Sequence, residues 1–232
     1  MTDGTTTRTP SAPVLVGGLA ATLGLAAACW VGTVRWTSGM DLGTATSLGT
    51  FAHFIPAWLV MTAAMMLPAA APTVVRHARG RGMRAAPGFV AAYLAVWALV
   101  GFAVYALYRP HGSVVAGVLV LAAGGYEFTP VKRYCRRRCH QVRSGSELGL
   151  YCVGSNAGLM LLPLALGPMS VAWMGVAAVL MVAQRLLPAK TAVDVPVGLA
   201  ILGLGALVLV APSAVPGLMT QMTTQMAPMP TM

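Results

Sequence analysis

The stretch Trp58-Leu-Val-Met61-Thr-Ala-Ala-Met65-Met66-Leu67-Pro68-Ala-Ala-Ala-Pro72 decides how the chain is read. It carries no charge, and it sits inside a longer apolar run, Phe51–Val75. A helix crossing the ~30 Å hydrocarbon core of a bilayer needs about 20 mostly apolar residues. Six more stretches have that character or approach it: Val14–Val34, Gly88–Tyr108, Ser113–Val131, Leu148–Leu166, Ser170–Leu187 and Val195–Ala211. The fifth and sixth spans in chain order are separated only by residues around Gly167-Pro168, which predicts a tight helical hairpin. The 232 residues are 57% hydrophobic and 9% charged, with mean hydropathy +0.76. A soluble domain carries about 25% charged residues, so this composition excludes an ordinary cytosolic enzyme. It also excludes disorder, collagen and a disulfide-stapled secreted domain. Strand alternation is missing, which argues against a β-barrel. The expectation is an all-α polytopic membrane bundle of about seven transmembrane helices.

Orientation follows from the cations. With the N-terminus inside, thirteen of the fifteen Lys and Arg fall on the inner side, including Arg76, Arg79, Arg81, Arg84, Lys132, Arg133 and Arg136. Arg35 and Arg109 fall outside. This predicts a cytoplasmic tail over 1–13, a membrane domain over 14–211 and an external, methionine-rich tail over 212–232. Only Arg8 beside Asp3 precedes the first span, and no small-x-small cleavage site follows, so it reads as a retained helix. The net charge of +10 lies in short loops flanking spans. Anionic lipid is the partner expected there, not nucleic acid, because no aromatic-interleaved basic surface occurs.

Met61 and Met65 are four residues apart and share a helix face. Pro68 cannot donate to the carbonyl of Ala64. Soft thioethers at mid-membrane suit Cu(I) without burying a charged side chain. Gap filling by an adaptable side chain explains the same methionines. Glu127 is the carboxylate expected inside a span, and such groups are functional candidates by default. Simple pairing with Lys132 or Arg133 is the alternative. Cys135 and Cys139 are spaced i, i+4 with His140 adjacent, which either begins a soft-metal site or belongs to a solvated basic linker. In the fifth span, Gly154 and Gly158 form a small-xxx-small face. Cys152, Asn156 and Met160 are the candidate ligands beside it.

All four cysteines are expected as thiols, because Cys135 and Cys139 are cytoplasmic in this topology. His53 and His111 lie at outer span ends, His77 and His140 on the inner side. The tail holds Met219, Met222, Met226, Met229 and Met232, either a thioether collector for copper or a surface anchor. No catalytic triad order, P-loop, dinucleotide turn or His-Glu-x-x-His occurs, which argues against an enzyme.

The strings Met61-Thr-Ala-Ala-Met65-Met66-Leu67-Pro68 and Gly125-Tyr126-Glu127-Phe-Thr-Pro130-Val-Lys132, followed by Cys135-x3-Cys139, resemble a bacterial membrane family. Cys152-Val-Gly154, Leu159-Met160 and Trp173-Met174 add to the resemblance. The family is the "domain of unknown function 2182" group, described as predicted metal-binding integral membrane proteins, and the likeness covers about Phe51 to Leu187. It implies a metal and a bacterial plasma membrane. Departures are specific. Ser155, Asn156 and Ala157 stand where the pattern has Cys, Cys and Trp. Glu127 replaces a usual Gln, and Gln184-Arg185 replaces a usual Glu-Lys.

The leading expectation is a membrane protein that binds or moves a soft transition metal, with copper as the expected ion. Its candidate ligands are Met61, Met65, Met66, Glu127, Cys135, Cys139, His140, Cys152, Asn156 and Met160. A membrane protein or a metal chaperone is the expected protein partner. Two alternatives stand beside it. One is a structural subunit whose glycine faces dock a partner; the other is a proton-coupled solute transporter using Glu127.

Overall fold

A computed structural model describes residues 12–37, 48–139, 141–167, 170–187 and 191–215. Among them the chain forms eight α-helices and no strand. They are α1 (Ala12–Thr37), α2 (Phe51–Arg81), α3 (Ala86–Leu107), α4 (Ser113–Glu127), α5 (Pro130–Arg138), α6 (Gly145–Leu166), α7 (Val171–Leu186) and α8 (Thr191–Val210). Each of the seven apolar stretches holds a helix. Three regions are long and apolar enough to cross a membrane: Phe51–Arg81, Met83–Leu107 and Gly145–Leu166. The bent pair α4 and α5 makes a fourth if the two count as one broken span. Ala20–Arg35, Val171–Arg185 and Asp194–Val210 are shorter apolar helices. Leu99, Phe102, Leu107, Val114 and Val118 are exposed on α3 and α4, an apolar surface that water disfavours.

Helices α2 and α6 form the buried centre, with 67% and 61% of their most apolar windows inside the bundle, against 17% for the third candidate span. α2 packs on α1, α3 and α7, and α6 on α3, α4, α5 and α7. The α2 helix runs through Pro56, Pro68 and Pro72 without ending. Trp58 Nε1–H donates to the Trp97 carbonyl at 2.9 Å, tying α2 to α3. Gly101 leaves the space that the Trp58 indole fills. The α6 N-terminus is written in Ser144-Gly-Ser-Glu147. Ser144 Oγ accepts from the Glu147 N–H, and the Glu147 carboxylate accepts from the Arg143 N–H at 2.9 Å. Such reciprocal capping satisfies donors that a helix start leaves free. Gly167, at φ 139°, turns the chain from α6 towards α7 as the hairpin reading requires.

The α4–α8 pair is an antiparallel zipper of small against large residues. Gly117 lies against Leu209, Gly124 against Leu202, and Gly205 against Leu121. Gly198 lies against Phe128, at the end of α4. A Cβ added at Gly124 or Gly205 would lie 2.9 Å from a backbone nitrogen of the other helix. Close backbone approach through small residues replaces the hydrophobic drive that lipid cannot supply.

One expectation is overturned in this region. Lys132 and Arg136, counted with the cations of an inner loop, are buried, at 1% and 4% exposure. The chain leaves α4 through Phe128 and restarts at Pro130, with Thr129 capping the new helix. The two axes differ by 62°. This turns α5 back against α6, and its buried cations find partners inside the bundle.

The zipper yields a direct test. Gly124→Leu and Gly205→Leu overpack α4 against α8 and should each cost about 1–3 kcal/mol or more. Gly125→Ala, whose added Cβ meets nothing within 4 Å, should leave the thermal midpoint near wild type. Equal midpoints for all three variants in a thiol-independent unfolding assay contradict the zipper.

Candidate metal site

The candidate residues of α6 point into the packed interior. Cys152 is buried, and its Sγ lies 3.3 Å from the Tyr93 hydroxyl of α3. One turn later, the Asn156 amide donates to the Cys152 carbonyl at 3.0 Å and towards Cys152 Sγ at 3.2 Å. The same Nδ2 lies 4.0 Å from Met66 Sδ of α2. Asn156 therefore stands between a thiol and a thioether, with its amide nitrogen near both sulfurs. The spacing of Asn156 and Cys152 was legible; the approach of Met66 requires the packing of α2.

A cavity of about 20 Å³ opens at this point, lined by Arg136, Cys152, Ser155, Asn156, Met181 and Gln184 among others. That is room for one water molecule or one ion. Met181 was not among the expected ligands, yet it is 2% exposed and lines the same cavity as Cys152. A signal existed: Met174 and Met181 are seven residues apart, hence on one face of α7, and both are buried. Met65, Met66 and Met160 lie in the same core cluster as Cys152, whereas Met61 is only partly buried and packs on its edge.

The α5 thiols also pack against α6. Cys139 is fully buried, with Sγ 3.8 Å from Ser155 Oγ. A Cβ at Gly154 would lie 2.6 Å from Cys135 Sγ, so the glycine makes the seat for that thiol. Gly158 likewise faces the Ala123 carbonyl and Glu127 of α4. Both glycines of the small-xxx-small face thus pack against residues of the chain itself. The reading of α5 as a solvated linker is corrected by the burial of Lys132, Arg136 and Cys139, while Arg133, Arg137 and Arg138 stay exposed. His140 lies outside the described residues. All four cysteines are free thiols. No group of three or more His, Cys, Asp or Glu among the described residues is placed to hold a metal ion.

Beside the sulfur atoms lies a buried ionic network. Glu127 pairs with Lys132, and both are essentially inaccessible. Gln184 of α7 bridges them: its Nε2–H donates to Glu127 Oε2 at 2.8 Å, and its Oε1 accepts from Lys132 Nζ at 2.9 Å. Arg133, the other expected partner, instead donates to the Phe128 carbonyl at 3.0 Å. Arg136 pairs with Asp194 of α8 and donates to the carbonyls of Gln184 and Leu187. Glu127 Oε1 has no hydrogen-bond partner and faces Gly158. Glu127 is therefore the counter-ion of Lys132. Two of the departures noted in the sequence, at 127 and 184, fall on side chains that bond each other. Against the pattern that the resemblance implies, Gln at 127 and Glu at 184, the carboxylate and amide stand exchanged, and Lys132 has an anion beside it.

The outer histidines do not share partners. His53 Nδ1 lies 2.9 Å from Thr50 Oγ1. The His111 ring is held between the carbonyls of Arg109 and Ala165.

A family model described as a copper chaperone matches residues 55–208. No curated protein and no solved structure matches the chain. The resemblance to the group of unknown function is supported in the coarser sense that the matched family is metal-related.

The exchange of Glu127 and Gln184 can be tested by undoing it. Glu127→Gln alone strands the Lys132 ammonium and should cost about 3–5 kcal/mol. The double variant Glu127→Gln/Gln184→Glu restores an anion and should recover most of that loss in thermal unfolding. Simple addition of two penalties would show that the pair is not interchangeable.

Proposed function

This chain belongs to the PpoB2 copper-chaperone family, and on that premise we propose that it takes Cu(I) as cargo at a sulfur site between α2, α6 and α7. Cys152 supplies the thiolate, Met66 and Met181 the thioethers, and Asn156 with Tyr93 positions the thiolate sulfur. The carrying observation is the Asn156 amide poised between Cys152 Sγ and Met66 Sδ, beside a cavity of single-ion size. Donor chemistry supports the ion. Thiolates and thioethers select Cu(I), whereas hard cations take oxygen ligands. One thiolate with neutral thioethers balances the single charge of Cu(I), so the loaded site adds no net charge to a poorly solvated interior.

Cys139 and Cys135 extend the sulfur path along α5. Their positions against Ser155 and Gly154 put them one helix away from Cys152. In this reading the ion passes from Cys152 to Cys139 and then Cys135 by exchange of one sulfur ligand for another, and the proton of each receiving thiol passes to the thiolate that the ion leaves. The protein acts as a carrier and not as an enzyme. It lies in a bacterial plasma membrane with seven crossings, N-terminus inside and C-terminus outside. The outer tail, whose five methionines lie outside the described residues, collects the ion. The inner thiols hand it to a membrane or metal-chaperone partner.

Copper retention by the purified full chain tests the site. Under reducing conditions the wild type should hold stoichiometric Cu(I) through desalting, and Cys152→Ser should lose it. Met65→Leu/Met66→Leu, close in volume and apolar, should release copper while keeping the fold. Asn156→Leu, which removes an orienting donor, should weaken retention roughly 10- to 100-fold. Cys29→Ser should change nothing. Wild-type protein without stoichiometric copper, or Cys152→Ser that binds as well, would sink the proposal.

A further inference from the structure

A second concave surface runs between α1, α2 and α3 and shares no lining residue with the sulfur cavity. Its volume is about 520 Å³, and it is lined by Leu25, Val74, Ala78, Met83, Val90 and Leu94 among others. Thr22 is the sole polar side chain in its wall among the described residues. We propose that this groove seats one acyl chain of an anionic phospholipid whose headgroup phosphate docks on Arg81 and Arg84.

Charge marks the groove's end. Met83 lies between Arg81 and Arg84 in the chain, and Arg79 is one residue beyond Ala78. All three arginines are exposed. The described carboxylates are already engaged: Glu127 with Lys132, Asp194 with Arg136, and Glu147 with the Arg143 N–H. These guanidiniums therefore have no internal counter-ion among the described residues, and arginine is well shaped for bidentate contact with phosphate. Dimensions agree with the same ligand. From Ala86 to Leu94 the α3 wall rises about 12 Å at 1.5 Å per residue, close to the ~15 Å of one hydrocarbon leaflet. An apolar slot of leaflet depth, capped at one end by cations, matches an anionic lipid along its whole length. A second protein helix would fill the slot but leave the arginines unpaired.

The test uses the full chain in neutral detergent, stripped of lipid and titrated with phosphatidylglycerol or phosphatidylcholine bearing identical acyl chains. Retained lipid is counted by native mass spectrometry, with thermal unfolding as a second readout. Phosphatidylglycerol should be retained in preference, and Arg81→Gln/Arg84→Gln should cut that preference roughly 10- to 30-fold, the effect of two phosphate-facing cations. Ala91→Trp, at an exposed wall position, should block retention of both lipids without changing Cu(I) retention. Equal retention of the two lipids by the wild type overturns the proposal. So does a preference that survives Ala91→Trp, which would reduce the effect to general surface attraction. An Ala91→Cys disulfide joining two copies would show a second chain in the groove and overturn it as well.

Discussion

Burying an ammonium in a low-dielectric interior costs several kcal/mol unless an anion accompanies it and the remaining donors are satisfied. Lys132 meets that condition through Glu127 and Gln184, and Arg136 meets it through Asp194 and two carbonyls. The four helices that contribute these groups, α4, α5, α7 and α8, are thereby fixed relative to one another. The turn at Phe128-Thr129 makes this possible, because it sends α5 back into the bundle and not out along the membrane surface. Once α5 is anchored by Lys132 and Arg136, Cys135 and Cys139 fall against Gly154 and Ser155 of α6. The ionic network is thus the scaffold on which the sulfur groups are placed, and Arg136 and Gln184 belong to both the network and the cavity wall.

The two systems divide the chemistry. Opposite charges neutralise each other within the network, and Arg185 lines the cavity beside Cys152 and Met181. A soft monovalent ion suits that arrangement. Thioethers contribute ligation without charge, and one thiolate offsets the ion. The resemblance implies cysteines at 155 and 156, and two such thiolates would add negative charge where Ser155 and Asn156 add none. Ser155 instead lies by Cys139, and Asn156 presents an N–H to sulfur.

Much of this architecture was legible. Hydropathy located all seven apolar helices, because apolar runs of nearly bilayer length are hard to accommodate in a water-exposed fold. Glu127 and Lys132 were visible as a candidate pair, since a carboxylate in an apolar run needs a nearby cation. The α5 helix was hidden by its composition. Three arginines in a row, Arg136-Arg137-Arg138, look like a solvated loop, and residue type does not reveal that Arg136 turns inward to Asp194. Asp194 itself lay just before the expected last span, in the first turn of α8. Gln184 and Met181 were missed because their roles arise from the packing of α7 on α2 and α6, and no local spacing encodes that. The small-against-large register of α4 and α8 is likewise a property of two helices together.

The central claim is that sulfur from Cys152 and the surrounding methionines holds the copper cargo. X-ray absorption at the copper edge of the Cu(I)-loaded full chain addresses it most directly. The account predicts a first shell made of sulfur alone, at low coordination number, which loses a sulfur scatterer in Met65→Leu/Met66→Leu. A shell dominated by nitrogen or oxygen, or one unchanged in that variant, would contradict it.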